Sequence, residues 1–188
     1  HKKINKKVLM NAYSIMDNHA HMGLYYEDSS EHLSNYMRIS HSKFGYQFNK
    51  ISNRSGKVAN ERPKTPYVEN DESLIRVHMY IEANPVRAGK LTLKQLKYHK
   101  YSSYMFYAYG VKNKWTKNLT YPDWYLKLGK TLKECQRIYR EMFCQYLNEN
   151  NNDQTFFEAY DFIGSITWKH QRKKLIKNIL LNNKLNSS

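Results

Sequence analysis

Glycine-rich phosphate loops are missing from this chain: neither a P-loop nor a GxGxxG occurs in its 188 residues. Without backbone amides to cradle a triphosphate, an NTP-driven mechanism has no support. HExxH is missing too, and no set of carboxylate ligands stands out, which argues against a zinc hydrolase. Glu27 and Glu82, the nearest carboxylates to the motifs below, read as solvated surface charges. Cysteine is scarce, with Cys135 and Cys144 the only two. Nine residues apart in an expected helix, they fall on opposite faces at about 100° per residue. They form no CxxC pair and no disulfide framework, a usage that fits a reducing, cytoplasmic compartment. No apolar run approaches the roughly 20 residues of a membrane span, no signal peptide is visible and no internal repeat is found. The chain starts at His1 rather than Met, which reads as a fragment or a processed chain.

Positive charge is what the chain has in excess. Lys and Arg number 31 against 16 Asp and Glu, leaving a net charge of +15. Such a surface concentrates polyanions and gains from counterion release when it neutralises phosphates. Base composition of the source genome is a blander origin for part of the lysine. Hydrophobic residues make up 40%, enough for a core, and aromatics 14%, a supply of stacking surfaces for unpaired bases. The length suits one well-filled domain with a helical appendage.

Residues 8–14 and 19–26 alternate as strands, and Asp17-Asn18 between them is turn chemistry, predicting a hairpin or bulge just before His19. Ser29-Ser30-Glu31 starts a helix whose stripe of Leu33, Met37, Phe44 and Phe48 runs to residue 51. Residues 57–69 hold strand-like pieces interrupted by Pro63 and Pro66. Asp71 is the expected N-cap of a second helix, closed by Pro85 with Gly89. Residues 100–104 and 115–124 are aromatic, irregular and basic. A clear amphipathic helix spans 131–149, residues 148–153 form a polar break, and a last helix spans 166–184. That helix lines up Trp168, Leu175, Ile176, Ile179 and Leu180 on one side. Lys169, His170, Arg172, Lys173, Lys174 and Lys177 crowd the rest, as a solvated face or a DNA-backbone clamp. The order strand, strand, helix, strand, helix is that of an α+β sandwich.

His19-Ala20-His21 places two imidazoles on one face of an extended segment, half of a metal site. Tyr80 and Asn84, four apart near the end of the second helix, share a face and add a nucleophile and an amide oxygen. Arg76 lies one turn earlier on that face. Singly these residues have ordinary readings: polar strand residues, one of 17 tyrosines, a helix-ending Asn-Pro. In combination on a basic chain they point to metal-assisted phosphodiester cutting through a covalent tyrosine.

Three blocks carry a resemblance. Tyr13-Ser14-Ile15-Met16-Asp17-Asn18-His19-Ala20-His21, Tyr80-Ile81-Glu82-Ala83-Asn84-Pro85-Val86-Arg87-Ala88-Gly89 and Tyr101-Ser102-Ser103-Tyr104 resemble the single-tyrosine HUH transposases, specifically the REP-associated tyrosine transposase branch. The resemblance covers residues 8 to about 104. It implies a ferredoxin-like (RRM-like) antiparallel sheet with helices packed on one face, plus a C-terminal helical extension. It implies a catalytic domain over 1–110 and a basic helical extension over 111–188. His19, His21 and Asn84 would bind Mg²⁺ or Mn²⁺, and Tyr80 would attack single-stranded, hairpin-containing DNA to leave a 5′-phosphotyrosine. DNA contacts are expected from Arg76, Arg87, Lys169, Arg172, Lys173 and Lys174. The implied protein is a monomer or homodimer of the bacterial cytosol or nucleoid, away from membranes. Asp17 stands where the family usually has Pro, and Tyr101 where Trp is common. The family's opening Tyr-His-Val strand is not found, so the domain reads as lacking its first strand. The alternative function is a catalytically inactive, domesticated or truncated nucleic-acid-binding protein of the same fold.

Overall fold

The computed structural model describes residues 8–58, 63–149 and 161–185, and the side chains of these up to residue 178. The chain forms two compact units, residues 1–63 with 78–150 and residues 64–77 with 151–188.

In the first unit, β1 (Val8–Ile15) and β2 (Ala20–Tyr26) pair antiparallel, from Val8 opposite Tyr26 to Ile15 opposite Ala20. The expected hairpin is present: Met16 N–H donates to the His19 carbonyl at 2.8 Å, with Asp17-Asn18 at the tip. The irregularity in register falls earlier, between Met10 and Ala12. The outer edge of β1 is occupied from Met10 to Ile15. Ile15 N–H donates to Tyr101 O at 2.8 Å and Ser103 N–H to Tyr13 O at 2.9 Å. Met10 bridges Leu119 in parallel and Ser14 bridges Ser102 antiparallel. Covering an edge strand in this way removes a template for unwanted pairing.

Helix α1 (Ser30–Ile51) begins where expected, with the Ser29 hydroxyl accepting from Glu31 N–H. It touches both strands yet buries none of its residues; Phe44 is 58% and Ile51 84% exposed. Periodicity selected the right helix, but a stripe is buried only when another element covers it.

Helix α2 (Asp71–Arg87) divides between the units at residue 77. It continues past Pro85 to Arg87, and Gly89, at φ +67°, supplies the left-handed residue that stops it. Short helices α3 (Leu93–Leu96), α4 (Tyr104–Tyr109) and α5 (Asp123–Leu126) lead into α6 (Leu132–Asn148), capped by Thr131. The core is aromatic. Tyr104, Tyr107, Tyr125, Tyr139 and Phe143 are fully buried, with Tyr104 and Phe143 rings 4.5 Å apart and Tyr107 and Tyr125 rings 5.2 Å apart. Each buried phenol needs a polar partner. Tyr125 donates to Tyr107 O at 2.6 Å, and the Tyr107 hydroxyl sits on the Thr120 carbonyl at 2.8 Å. As the nine-residue spacing predicts, Cys135 is buried and Cys144 exposed on α6, both unpaired.

In the second unit, β3 (Tyr67–Val68) follows Pro66 and pairs parallel with β4 (Phe162–Ile163). Of the strand-like pieces expected over 57–69, residues 59–62 lie outside the described residues. So does the polar break beyond Glu149, and so do the side chains of Ile179 and Leu180. The first turn of α2 is capped by Asn70 rather than Asp71, because Asn70 Oδ1 accepts from Ser73 N–H at 2.9 Å. Asp71 sits in the first turn, where its charge complements the helix dipole. Helix α7 (Ile166–Leu185) carries Trp168 against Phe162, ring centres 5.7 Å apart, while Leu175 and Ile176 are 48% and 44% exposed.

The architecture is thus mixed α+β, with a two-strand antiparallel sheet and several helices. Among the described residues no helix is long and apolar enough to cross a membrane.

Candidate active site

The hairpin tip and α2 build the site. His19 ends the turn and His21 lies two residues on, so alternation sends both rings to one face. Their centres are 4.9 Å apart and nearly perpendicular. Gly23 continues the same face, opposite Ala12. A Cβ on Gly23 would lie 3.3 Å from Ala12 Cβ and 3.6 Å from Ile81 Cδ1. Two small residues therefore make the seat on which α2 rests, and Tyr80, next to Ile81, meets His21. Their ring centres are 5.5 Å apart, edge to face. Tyr80 is only 5% exposed, His21 is half-buried and His19 is exposed.

One turn along α2, Asn84 Nδ2 donates to the Tyr80 carbonyl at 2.9 Å. That bond leaves Oδ1 as the atom a hard cation would take. The His19 ring is oriented by its neighbour: Asn18 Oδ1 lies 2.6 Å from Nδ1. Since Oδ1 only accepts, Nδ1 carries the hydrogen and the ligating lone pair falls on Nε2. Two imidazoles bound to one cation at about 2.1 Å hold their ring centres roughly 4.5–5.2 Å apart at bond angles of about 90–110°. The 4.9 Å observed fits that requirement. Among the described residues no cluster of three or more His, Cys, Asp or Glu could hold a metal.

Lys90, just after α2, forms an ion pair with Asp17 at the hairpin tip. The hydrogen bond from Lys90, followed by its charge, holds the Asp17 carboxyl below the usual range. The pair ties the end of α2 to the turn that carries His19.

Glu82 corrects an expectation. It is completely buried, not a surface charge. Tyr139 donates to its Oε2 and Ser103 to its Oε1, both at 2.5 Å, and His78 Nε2 lies 3.4 Å from Oε1 without hydrogen-bond alignment. Ser103 Oγ in turn accepts from Tyr13 N–H at 3.0 Å. Tyr80 and Glu82 are about 200° apart around the helix, so α2 shows one face to the histidines and the other to the core. His78 and Glu82 at i and i+4 were the available sequence signal, but a His/Glu pair at that spacing also suits an exposed helix.

The basic residues distribute differently. Arg87 donates to Tyr146 Oη at 3.1 Å and lies over its ring at 5.7 Å, which ties the end of α2 to α6. Arg76, Lys169, Arg172, Lys173 and Lys174 belong to the second unit. There Arg172 lies 5.5 Å over the Trp168 ring, and burial, then the charge of Lys173, lowers the Lys169 pKa.

Compared with protein-family models, with curated proteins and with solved structures, the chain matches none.

Proposed function

We propose that this protein cuts and rejoins single-stranded DNA as a single-tyrosine HUH transposase of the REP-associated type. One observation carries the reading. His19, His21 and Tyr80, far apart in sequence, bring their rings together at successive centre distances of 4.9 and 5.5 Å. In this reading His19, His21 and the Asn84 carbonyl hold Mg²⁺ or Mn²⁺. The cation would withdraw charge from the non-bridging oxygens of the scissile phosphate. Tyr80 Oη forms a bond to phosphorus as the P–O3′ bond breaks, and the phenolic proton is balanced by the proton the 3′-oxygen gains. The 5′-phosphotyrosine conserves the energy of the broken ester, so rejoining by a 3′-OH needs no ATP.

The same reading makes β1 and β2 two strands of a ferredoxin-like sheet with α1 and α2 on it. The substrate is a hairpin-bearing strand in the bacterial cytoplasm, and the protein works as a monomer or homodimer. Burial of Tyr80 favours a second reading, a nucleic-acid-binding protein of this fold that no longer cuts.

Covalent trapping on labelled single-stranded hairpin DNA with Mn²⁺, resolved on denaturing gels, separates the two. An adduct that vanishes with EDTA and in Tyr80→Phe is the expected result. Tight binding with no adduct on any hairpin strand tested would sink the cleavage reading and leave the second.

A further inference from the structure

A cluster of aromatic and basic side chains stands beside the hairpin and takes no part in the site described above. Tyr101 and Trp115 rings lie 5.6 Å apart at 69°, forming an open corner, with His99 against Tyr101 at 5.6 Å. Both large rings are exposed, Tyr101 by 37% and Trp115 by 39%. Lys100 Nζ lies 4.9 Å from the Tyr101 ring centre and 5.7 Å from that of Trp115, and Lys114 Nζ lies 5.3 Å from Trp115. Among the described residues neither lysine forms an ion pair, so both charges remain available to an anion.

The contrast with the rest of the molecule is informative. Tryptophan is highly buried on average, and this chain hides Tyr104, Tyr107, Tyr125 and Tyr139 completely. The backbone that carries the two exposed rings is nevertheless held firmly. The Tyr101 carbonyl accepts from Ile15 N–H at 2.8 Å. Trp115 sits in a turn closed by Asn113, whose Oδ1 accepts from Trp115 N–H at 2.8 Å and from Thr116 N–H at 3.2 Å. Thr116 is 1% exposed and donates to Val111 O at 2.9 Å. A backbone fixed before binding loses little freedom when a ligand stacks on the rings it carries.

We propose that Tyr101 and Trp115, flanked by Lys100 and Lys114, form a stacking platform for the unpaired bases of a single DNA strand. Each nucleotide of a single strand offers a flat π-face and a phosphate, and exposed rings interleaved with ammonium groups match both. A base paired within a duplex keeps its faces covered by its neighbours, so the platform favours single strands. The bond from Ile15 to Tyr101 places it at the end of β1 that leads into the His19 turn. The choice of DNA rests on the proposed cleavage reading, which the platform deepens by naming what holds the strand beside the histidines.

The test is fluorescence anisotropy in EDTA, with a labelled oligonucleotide and a strand of equal length and charge built from abasic sites. The parent protein is expected to prefer the base-bearing strand. Tyr101→Ala with Trp115→Ala should weaken that binding roughly 10- to 100-fold, while binding to the abasic strand stays within about twofold. Lys100→Ala with Lys114→Ala should weaken both strands and lower the slope of log affinity against log salt by roughly 1.4. The pair Tyr101→Leu and Trp115→Leu keeps apolar bulk without a π-face and guards against misfolding of the alanine variant; it should lose the base preference too. Equal loss on both strands, unchanged binding in the folded leucine variant, or tighter binding of duplex would overturn the platform. Cleavage is scored separately by trapping. An adduct without base-dependent binding sinks the platform alone, and base-dependent binding without an adduct sinks only the transposase reading.

Discussion

Glu82 is a fully buried carboxylate on which three of the core's polar groups converge. A buried carboxylate has to be hydrogen-bonded or paired, and this one takes hydroxyls from Tyr139 and Ser103 with His78 beside it. Through Ser103 it reaches the Tyr13 backbone in β1, and through Tyr139 it reaches α6. Removing the acceptor strands the buried Tyr139 hydroxyl and leaves Ser103 only the longer bond to the Tyr13 carbonyl, 3.3 Å. Glu82→Ala is therefore expected to cost about 3 kcal/mol, seen as a fall in Tm of roughly 6–12 °C. Glu82→Gln keeps the volume and an acceptor oxygen and should lose less. An alanine variant melting at the parental temperature would show that the network contributes nothing.

At the scale of elements, α2 has two jobs on two faces, and its seat on the sheet decides both. Gly23 and Ala12 let Ile81 approach, with Tyr80 placed against His21 as a result. A larger residue at position 23 pushes on Ala12 and Ile81 together. Gly23→Val should destabilise the fold by about 1–3 kcal/mol, the usual range for overpacking, and separate Tyr80 from His21. The thermal melt reports the first effect, and the yield of Mn²⁺-dependent adduct reports the second. A stable variant with full adduct yield would mean that the seat does not position Tyr80. The hairpin itself depends little on this packing, since its turn closes locally through Met16 and His19.

For the whole molecule, the aromatic core sets the response to alkali. Burial first, and the charge of Glu82 in addition, raise the pKa values of Tyr13, Tyr104, Tyr107, Tyr125 and Tyr139. Tyr13 moves from 10.0 to about 12. An acid whose folded pKa lies above its unfolded one stays neutral in the fold and is released as an anion by unfolding. These groups thus stabilise the fold fully below pH 10.0, and that stability drains away as pH rises through their folded values. Tyrosinate absorbance and circular dichroism followed together from neutral to strongly alkaline pH should show the buried phenols ionising in the same step as unfolding. Ionisation of all tyrosines near pH 10.0 with the dichroism intact would contradict this account. The net charge of +15 adds self-repulsion below that range, so the margin should widen with salt.

Local chemistry made much of this legible in advance. The Asp17-Asn18 turn, the strands on either side, the Ser29 cap of α1, the Thr131 start of α6 and the shared face of His19 and His21 follow from short-range preferences that neighbouring residues satisfy. Glu82 was misjudged because burial is a property of what packs around a residue, and α4 and α6 come from segments 21 and more residues away. The α1 stripe marks its helix correctly, but Phe44 and Phe48 at its far end stay exposed, because nothing among the described residues buries them. That Tyr80 reaches His21 depends on a glycine seat in one segment and a helix face in another, a pairing no local pattern encodes. Tertiary packing also separated the tyrosines that fill the core from Tyr101 and Trp115, which stand outside it, because side chains of the same chemistry differ only in what the fold lays over them.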